Sequence, residues 1–124
     1  MGTKKIIIIE DDNKIQKLMK IALSHYKEEK LGFSEGREAI KFIDENNEDI
    51  GLIFLDVGLG EMNGFEVLKH IRQELSLNLP VIIVSAYVAK DDIEKGMELG
   101  ASDYLMKPFN IKKLIEICEE YLNR

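Results

Sequence analysis

The sequence predicts an α/β domain built on a parallel sheet, and three observations carry that prediction. Short apolar runs alternate with stretches of helical periodicity along the chain, the pattern of repeated βα units. The runs Ile6–Ile9, Leu52–Leu55 and Val81–Val84 are continuous rather than alternating, as in strands covered on both faces. Each run stops at a reactive type of residue: Glu10-Asp11-Asp12, Asp56 and Ser85, with Tyr104-Leu105-Met106 stopping at Lys107. Ligands bind outside the carboxyl ends of strands in an open parallel sheet, so these residues are expected to converge on one site.

The elements follow in order. A strand near 5–10 leads into a helix near 13–26, in which Ile15, Leu18, Met19, Ile21, Ala22, Leu23 and Tyr26 cover roughly 200° at about 100° per residue, wider than a core stripe requires. One margin of that helix, Ile15 with Leu18, is expected to stay exposed as a partner surface. The segment 28–34 is too charged for a central strand and belongs at an edge. A helix near 36–46 and a strand at 51–56 come next. Gly64 opens the following helix, near 64–75. Pro80 begins the strand 80–85, where a missing N–H matters least. Helix 90–99, strand 103–106 and helix 110–123 complete the chain, with Ile111, Leu114, Ile115, Cys118 and Leu122 as the core stripe of the last helix and Ile117 and Tyr121 off it.

The totals bound the function. A chain of 124 residues suits one compact domain with a single core, taken as residues 1–124. A net charge of −6 disfavours direct contact with nucleic acid or an anionic membrane. No apolar run approaches the roughly 20 residues that span a bilayer, and no signal peptide opens the chain. A lone Cys118 permits no internal disulfide, so a cytoplasmic protein is expected.

Glu10, Asp11 and Asp56 would place at least three negative charges together, which calls for a cation or a lysine. Carboxylates without His or Cys suit a hard divalent ion, best the octahedral Mg²⁺, with Mn²⁺ as a substitute. Asp12 reads as an ordinary turn residue. Lys107 supplies a compact positive charge, and Ser85 offers a hydroxyl to a phosphoryl oxygen, with the small Ala86 leaving room beside it. Together these residues meet the needs of a carboxylate attacking phosphorus, with Asp56 as nucleophile and the cation and Lys107 neutralising the phosphoryl oxygens. Other hydrolytic sites lack support: there is no Gly-x-Ser-x-Gly elbow, and His25 and His70 fall in helical stretches. The segment Gly58–Gly64 lacks the Gly-Lys-Ser/Thr ending of a phosphate loop.

In this order and spacing, Ile8-Ile9-Glu10-Asp11-Asp12, Leu52–Asp56, Asn63-Gly64, Ile83-Val84-Ser85-Ala86 and Gly100–Phe109 resemble the receiver domains of two-component response regulators. The resemblance runs from Lys5 to about Leu122. It implies a flavodoxin-like fold, a doubly wound five-stranded parallel sheet in the order 2-1-3-4-5 flanked by five helices. It implies that Asp56 is the phosphoacceptor, receiving phosphate from a histidine of a sensor kinase or phosphotransfer protein. Asp11 would bind Mg²⁺ directly, Glu10 mainly through water and Gly58 through its carbonyl. Ser85 and Lys107 would hold phosphoryl oxygens while Tyr104 moves inward as a packing switch, and the bond before Pro108 would be cis. Two departures stand out: family members commonly carry a longer side chain at Gly58 and proline at Gly60. Tyr87 is then the candidate to shield the phosphoryl group.

The leading expectation is a signalling switch rather than an enzyme. Phosphorylation of Asp56 would shift a two-state equilibrium in the segment Ser85–Phe109 and change affinity for a separate effector protein. With no output domain expected, helix 90–99, the Tyr104 strand and the last helix, through Ile117 and Tyr121, would form the output surface of a monomer or phosphorylation-dependent dimer. The alternative is a phosphatase or dehalogenase that turns over an aspartyl intermediate. Such enzymes commonly carry a second acid two residues after the nucleophile, where this chain has Gly58. A protein-binding module that keeps the fold without phosphorylation is disfavoured, because no acidic residue of the site is missing, nor is Lys107.

Overall fold

The computed structural model describes residues 4–58, 63–86 and 90–122. Five strands form one parallel sheet: β1 (Lys5–Ile9), β2 (Lys30–Phe33), β3 (Ile50–Asp56), β4 (Val81–Ser85) and β5 (Asp103–Met106), in the order β2-β1-β3-β4-β5. The helices are α1 (Asn13–Ala22), α2 (Gly36–Asn46), α3 (Gly64–Lys69), α4 (Lys90–Glu98) and α5 (Ile111–Leu122).

The continuous apolar strands serve two cores at once. Ile7 and Ile9 of β1 join Ile53, Leu55 and Ile83 beneath α2 and α3, through Ala39, Ile43, Val67 and Leu68. Ile6 and Ile8 point the other way, packing with Leu52, Phe54, Ile82 and Val84 against α1 and α5, through Met19, Leu114, Ile117 and Cys118. The period of two along each strand therefore sends neighbouring isoleucines into different layers. β2, with every residue half-buried, lies at an edge. The strand order reverses direction between β1 and β3, and the crevice at their carboxyl ends is where this architecture binds ligands.

Several boundaries and faces differ from the sequence reading. α1 stops at Ala22 rather than near 26. The turn that follows, with Tyr26 N–H donating to the Leu23 carbonyl, lets Tyr26 fold back on the core and place its hydroxyl on Glu119. The core face of α1 is Ile15, Met19, Ala22 and Leu23, so Ile15 packs half-buried and the exposed margin is Leu18 with Ile21. The helix predicted over 64–75 is α-helical only to Lys69. His70–Glu74 widen into a π turn, with Leu75 N–H donating to the His70 carbonyl five residues back.

In α5 the expected Leu114, Ile115, Cys118 and Leu122 pack on the core, Ile115 and Leu122 half-buried, and the face extends to Ile117 and Tyr121. Leu114, Ile117 and Cys118 are buried and Tyr121 is half-buried with its hydroxyl donating to the Ser102 carbonyl, while Ile111 is exposed. Positions 114, 117, 118 and 121 are themselves an i, i+3, i+4, i+7 stripe. Ile117 is therefore a core residue, not part of an output surface.

Candidate functional site

β1 delivers Glu10 to the crevice. Its N–H donates to the Phe33 carbonyl at 2.9 Å, one step beyond the β1–β2 ladder, and the residue is only 1% exposed. Glu10 Oε2 accepts from the Asp12 N–H at 3.1 Å. Asp12 turns outward to cap α1, accepting from the N–H groups of Lys14 at 2.9 Å and Ile15 at 3.2 Å. Asp11, between these two, is exposed. The Gln16 side chain, which the sequence reading did not single out, donates from Nε2 to the Glu10 carbonyl at 3.0 Å.

Asp56 is the last residue of β3, paired with Val84 of β4. Its Oδ1 accepts from the Gly58 N–H at 2.9 Å. The α3 helix comes very close behind it: a Cβ on Gly64 would lie 2.5 Å from the Asp56 carbonyl oxygen. Glycine is thus required here by proximity, and Asn63 caps the helix by accepting from the Glu66 N–H. Lys107 arrives from the end of β5, its N–H donating to the Ser85 carbonyl at 2.8 Å, and a cis bond joins it to Pro108.

The Lys107 ammonium lies 2.7 Å from Glu10 Oε1 and 3.4 Å from Asp56 Oδ2. Burial alone would lower the Lys107 pKa, but the two carboxylates outweigh it and hold the ammonium charged above its ordinary value. Burial pushes Glu10 up to about 7, against the pull of Lys107 and the Asp12 N–H and helped by the charge of Asp56. Glu10 Oε1 meets Lys107 as a charge pair without an aligned hydrogen bond, which leaves a buried oxygen with unused acceptor capacity.

Glu10, Asp11 and Asp56 each bring a carboxylate oxygen within 4.8 Å of the others. That all-oxygen donor set, with an underused buried oxygen among it, fits a hard divalent cation. One lysine does not balance three carboxylates, so a metal ion could be held here without straining the charge balance.

Ser85, buried at the end of β4, and the exposed Tyr104 of β5 line a neighbouring apolar cleft with Val57, Phe65, Ile83 and Met106. The cleft reaches α4 closely because Gly96 has no side chain; a Cβ there would lie 2.3 Å from Ile83 Cδ1. Gly58 is exposed beside Asp56. Tyr87 and Gly60 lie outside the described residues. Leu18 is on the exposed margin of α1. The structure thus brings Glu10, Asp11, Asp56 and Lys107 into one cluster and sets Ser85 and Tyr104 around a cleft next to it.

Comparison with known proteins agrees with this geometry. The response regulator receiver domain family matches residues 6–119. The nisin biosynthesis regulatory protein NisR of Lactococcus lactis subsp. lactis is 37% identical over 120 residues, covering 97% of this chain and 51% of that protein. The chain spans about half the length of the first such relatives. The receiver domain of the Francisella response regulator 1452 superposes with a TM-score of 0.87 at 30% identity, covering 98% of both chains. The phosphorylated cyanobacterial phytochrome response regulator RcpA gives a TM-score of 0.85 at 28% identity, covering 98% of this chain and 95% of that one. With five parallel strands in the order 2-1-3-4-5 and an acidic crevice closed by a lysine, this chain belongs to the response regulator receiver domain family.

Proposed function

We propose that Asp56 is the phosphoacceptor of a two-component or phosphorelay system, charged by the phosphohistidine of a sensor kinase or phosphotransfer protein. The observation that carries this reading is the Lys107 ammonium set against both Glu10 and Asp56 beside three clustered carboxylates. An Asp56 carboxylate oxygen would attack phosphorus as the phosphorus–nitrogen bond to the donor histidine breaks. The aspartyl phosphate forms and the imidazole leaves with the electron pair. Lys107 offsets negative charge on the phosphoryl oxygens, and the Ser85 hydroxyl can donate to one of them.

Glu10, Asp11 and Asp56, with the Gly58 carbonyl, would hold Mg²⁺ or, in its place, Mn²⁺. The cation would supply further neutralisation of the phosphoryl oxygens. Tyr104 borders the same cleft as Ser85, which supports a switch in which engagement of Ser85 by the phosphoryl group draws the ring inward. The phosphodonor would dock on the exposed α1 margin around Leu18, with Ile15 at its inner edge. A separate effector would read the α4–β5 surface in a monomer or phosphorylation-dependent dimer. Such a relay belongs in the cytoplasm, where the donor kinase draws its phosphate from ATP. The described residues include no helix long and apolar enough to cross a membrane.

The family's members are signalling proteins rather than conventional enzymes, and the Gly58 position leaves no second acid for turnover. Incubation with Mg²⁺ and acetyl phosphate should give one phosphoryl group per chain by intact mass. Sustained release of phosphate from unrelated phosphomonoesters would instead favour a hydrolase.

A further inference from the structure

Gln16 of α1 is half-buried, and its side-chain amide lies against Gly32 of the edge strand β2. The position is tight. A Cβ built on Gly32 of β2 would lie 2.0 Å from Gln16 Oε1, 2.4 Å from Gln16 Cδ and 2.9 Å from Lys20 Cε. Gly32 is paired with Ile8 in an ordinary parallel register, so no turn at that residue calls for glycine. What the missing side chain provides is a seat for the Gln16 amide.

From that seat Gln16 Nε2 reaches the Glu10 carbonyl at 3.0 Å. That carbonyl belongs to the peptide joining Glu10 to Asp11. The peptide is planar, so fixing its oxygen fixes the direction in which the chain enters Asp11. On either side the loop is already tied, by Glu10 N–H to the Phe33 carbonyl and by Asp12 N–H to Glu10 Oε2. Asp11 itself is exposed, and Gln16 is the side chain that orients the peptide leading into it.

We propose that Gln16 is a positioning residue for the cation half of the site, holding the Glu10–Asp11 peptide so that the Asp11 carboxylate meets those of Glu10 and Asp56, and that Gly32 is glycine in order to seat it. This rests on the reading of the carboxylate cluster as a divalent-cation site. The edge strand thereby influences the crevice through the Gln16 amide that Gly32 seats.

Mg²⁺ titrations followed by the backbone amide resonances of Asp11, Asp56 and Gly58 test the link, on the wild type, Gln16→Met, Gln16→Ala, Gly32→Ala and the Gln16→Ala/Gly32→Ala double variant. Gln16→Met keeps the length but loses the donor. It and Gly32→Ala should each weaken Mg²⁺ binding by about tenfold, the scale of lost outer partners of metal ligands. In the double variant the two nearest atoms, both of the Gln16 amide, are gone and the next, Lys20 Cε, is the flexible end of a side chain, so binding should match Gln16→Ala alone. The inference is overturned if Gln16→Met keeps wild-type affinity, or if Gly32→Ala weakens binding equally with and without the Gln16 side chain. A wild type whose Asp11 and Asp56 resonances ignore Mg²⁺ would overturn the cation-site reading itself, and this inference with it.

Discussion

At the scale of single residues, the site is a problem of too much negative charge in too little water. Lys107 answers part of it, and removing that ammonium would leave Glu10 and Asp56 facing each other in a buried crevice. Breaking a buried ion pair by removing one partner costs about 3–5 kcal/mol where the other partner stays charged. Glu10 has an escape, since its pKa is already pushed to about 7. Lys107→Met should therefore cost about 3 kcal/mol in denaturant unfolding at pH 8 and clearly less at pH 6, where Glu10 carries a proton. An equal loss at both pH values would contradict the pairing.

The same shift sets the pH dependence of the metal-free and cation-bound protein in opposite directions. The folded Glu10 value of about 7 lies above its ordinary 4.5. Its contribution to metal-free stability is thus fully present below 4.5 and lost as pH rises through 7. Cation binding needs the ionised carboxylate, so Mg²⁺ affinity should fall as pH drops through 7, by up to about tenfold between pH 8 and pH 6. Calorimetric titration at the two pH values checks the sign.

At the scale of elements, the crevice depends on close approaches that the helices make to the sheet. Gly64 lets the start of α3 lie against the Asp56 and Val57 backbone. Gly64→Ala should destabilise the fold by about 1–3 kcal/mol through overpacking and slow phosphorylation by displacing Asp56, the acceptor proposed above. Thermal unfolding and labelling rate measure the two effects separately. The π turn after α3 has a parallel role away from the site. It presents Arg72, which donates to the Gly100 carbonyl at 2.8 Å and the Leu77 carbonyl at 2.7 Å. Gly100 adopts φ +102, and its missing side chain leaves room for the Arg72 stem. Arg72→Ala should cost about 1–3 kcal/mol by leaving partly buried carbonyls unpaired. A change within about 0.5 kcal/mol, the scale of ordinary surface substitutions, would show that the clasp is not structural.

At the scale of the whole molecule, the reading from sequence succeeded where burial is symmetric and struggled where it is not. The runs Ile6–Ile9, Leu52–Leu55 and Val81–Val84 are apolar because both faces are covered, so strand positions were legible in the chain, and Glu10 and Asp56 meet Lys107 at the strand ends while Ser85 faces the neighbouring cleft. Helix faces were harder. In α5 two overlapping apolar stripes share Leu114 and Cys118, and packing against the sheet draws in members of both, Ile117 and Tyr121 as well as Ile115 and Leu122, leaving Ile111 outside. In α1 the seven apolar positions spread too widely to say that Ile21, not Ile15, would be left outside. Gln16 was invisible for a different reason: a glutamine in a helix gives no periodic signal, and its partner is a backbone carbonyl.

The role proposed for these parts is to load one phosphoryl group onto Asp56. Its most direct test compares wild type with Asp56→Asn after incubation with Mg²⁺ and acetyl phosphate, by intact mass and by mapping of the modified peptide. A single phosphoryl group is expected on the peptide containing Asp56 in the wild type and none on the variant. Undiminished labelling of Asp56→Asn would contradict it.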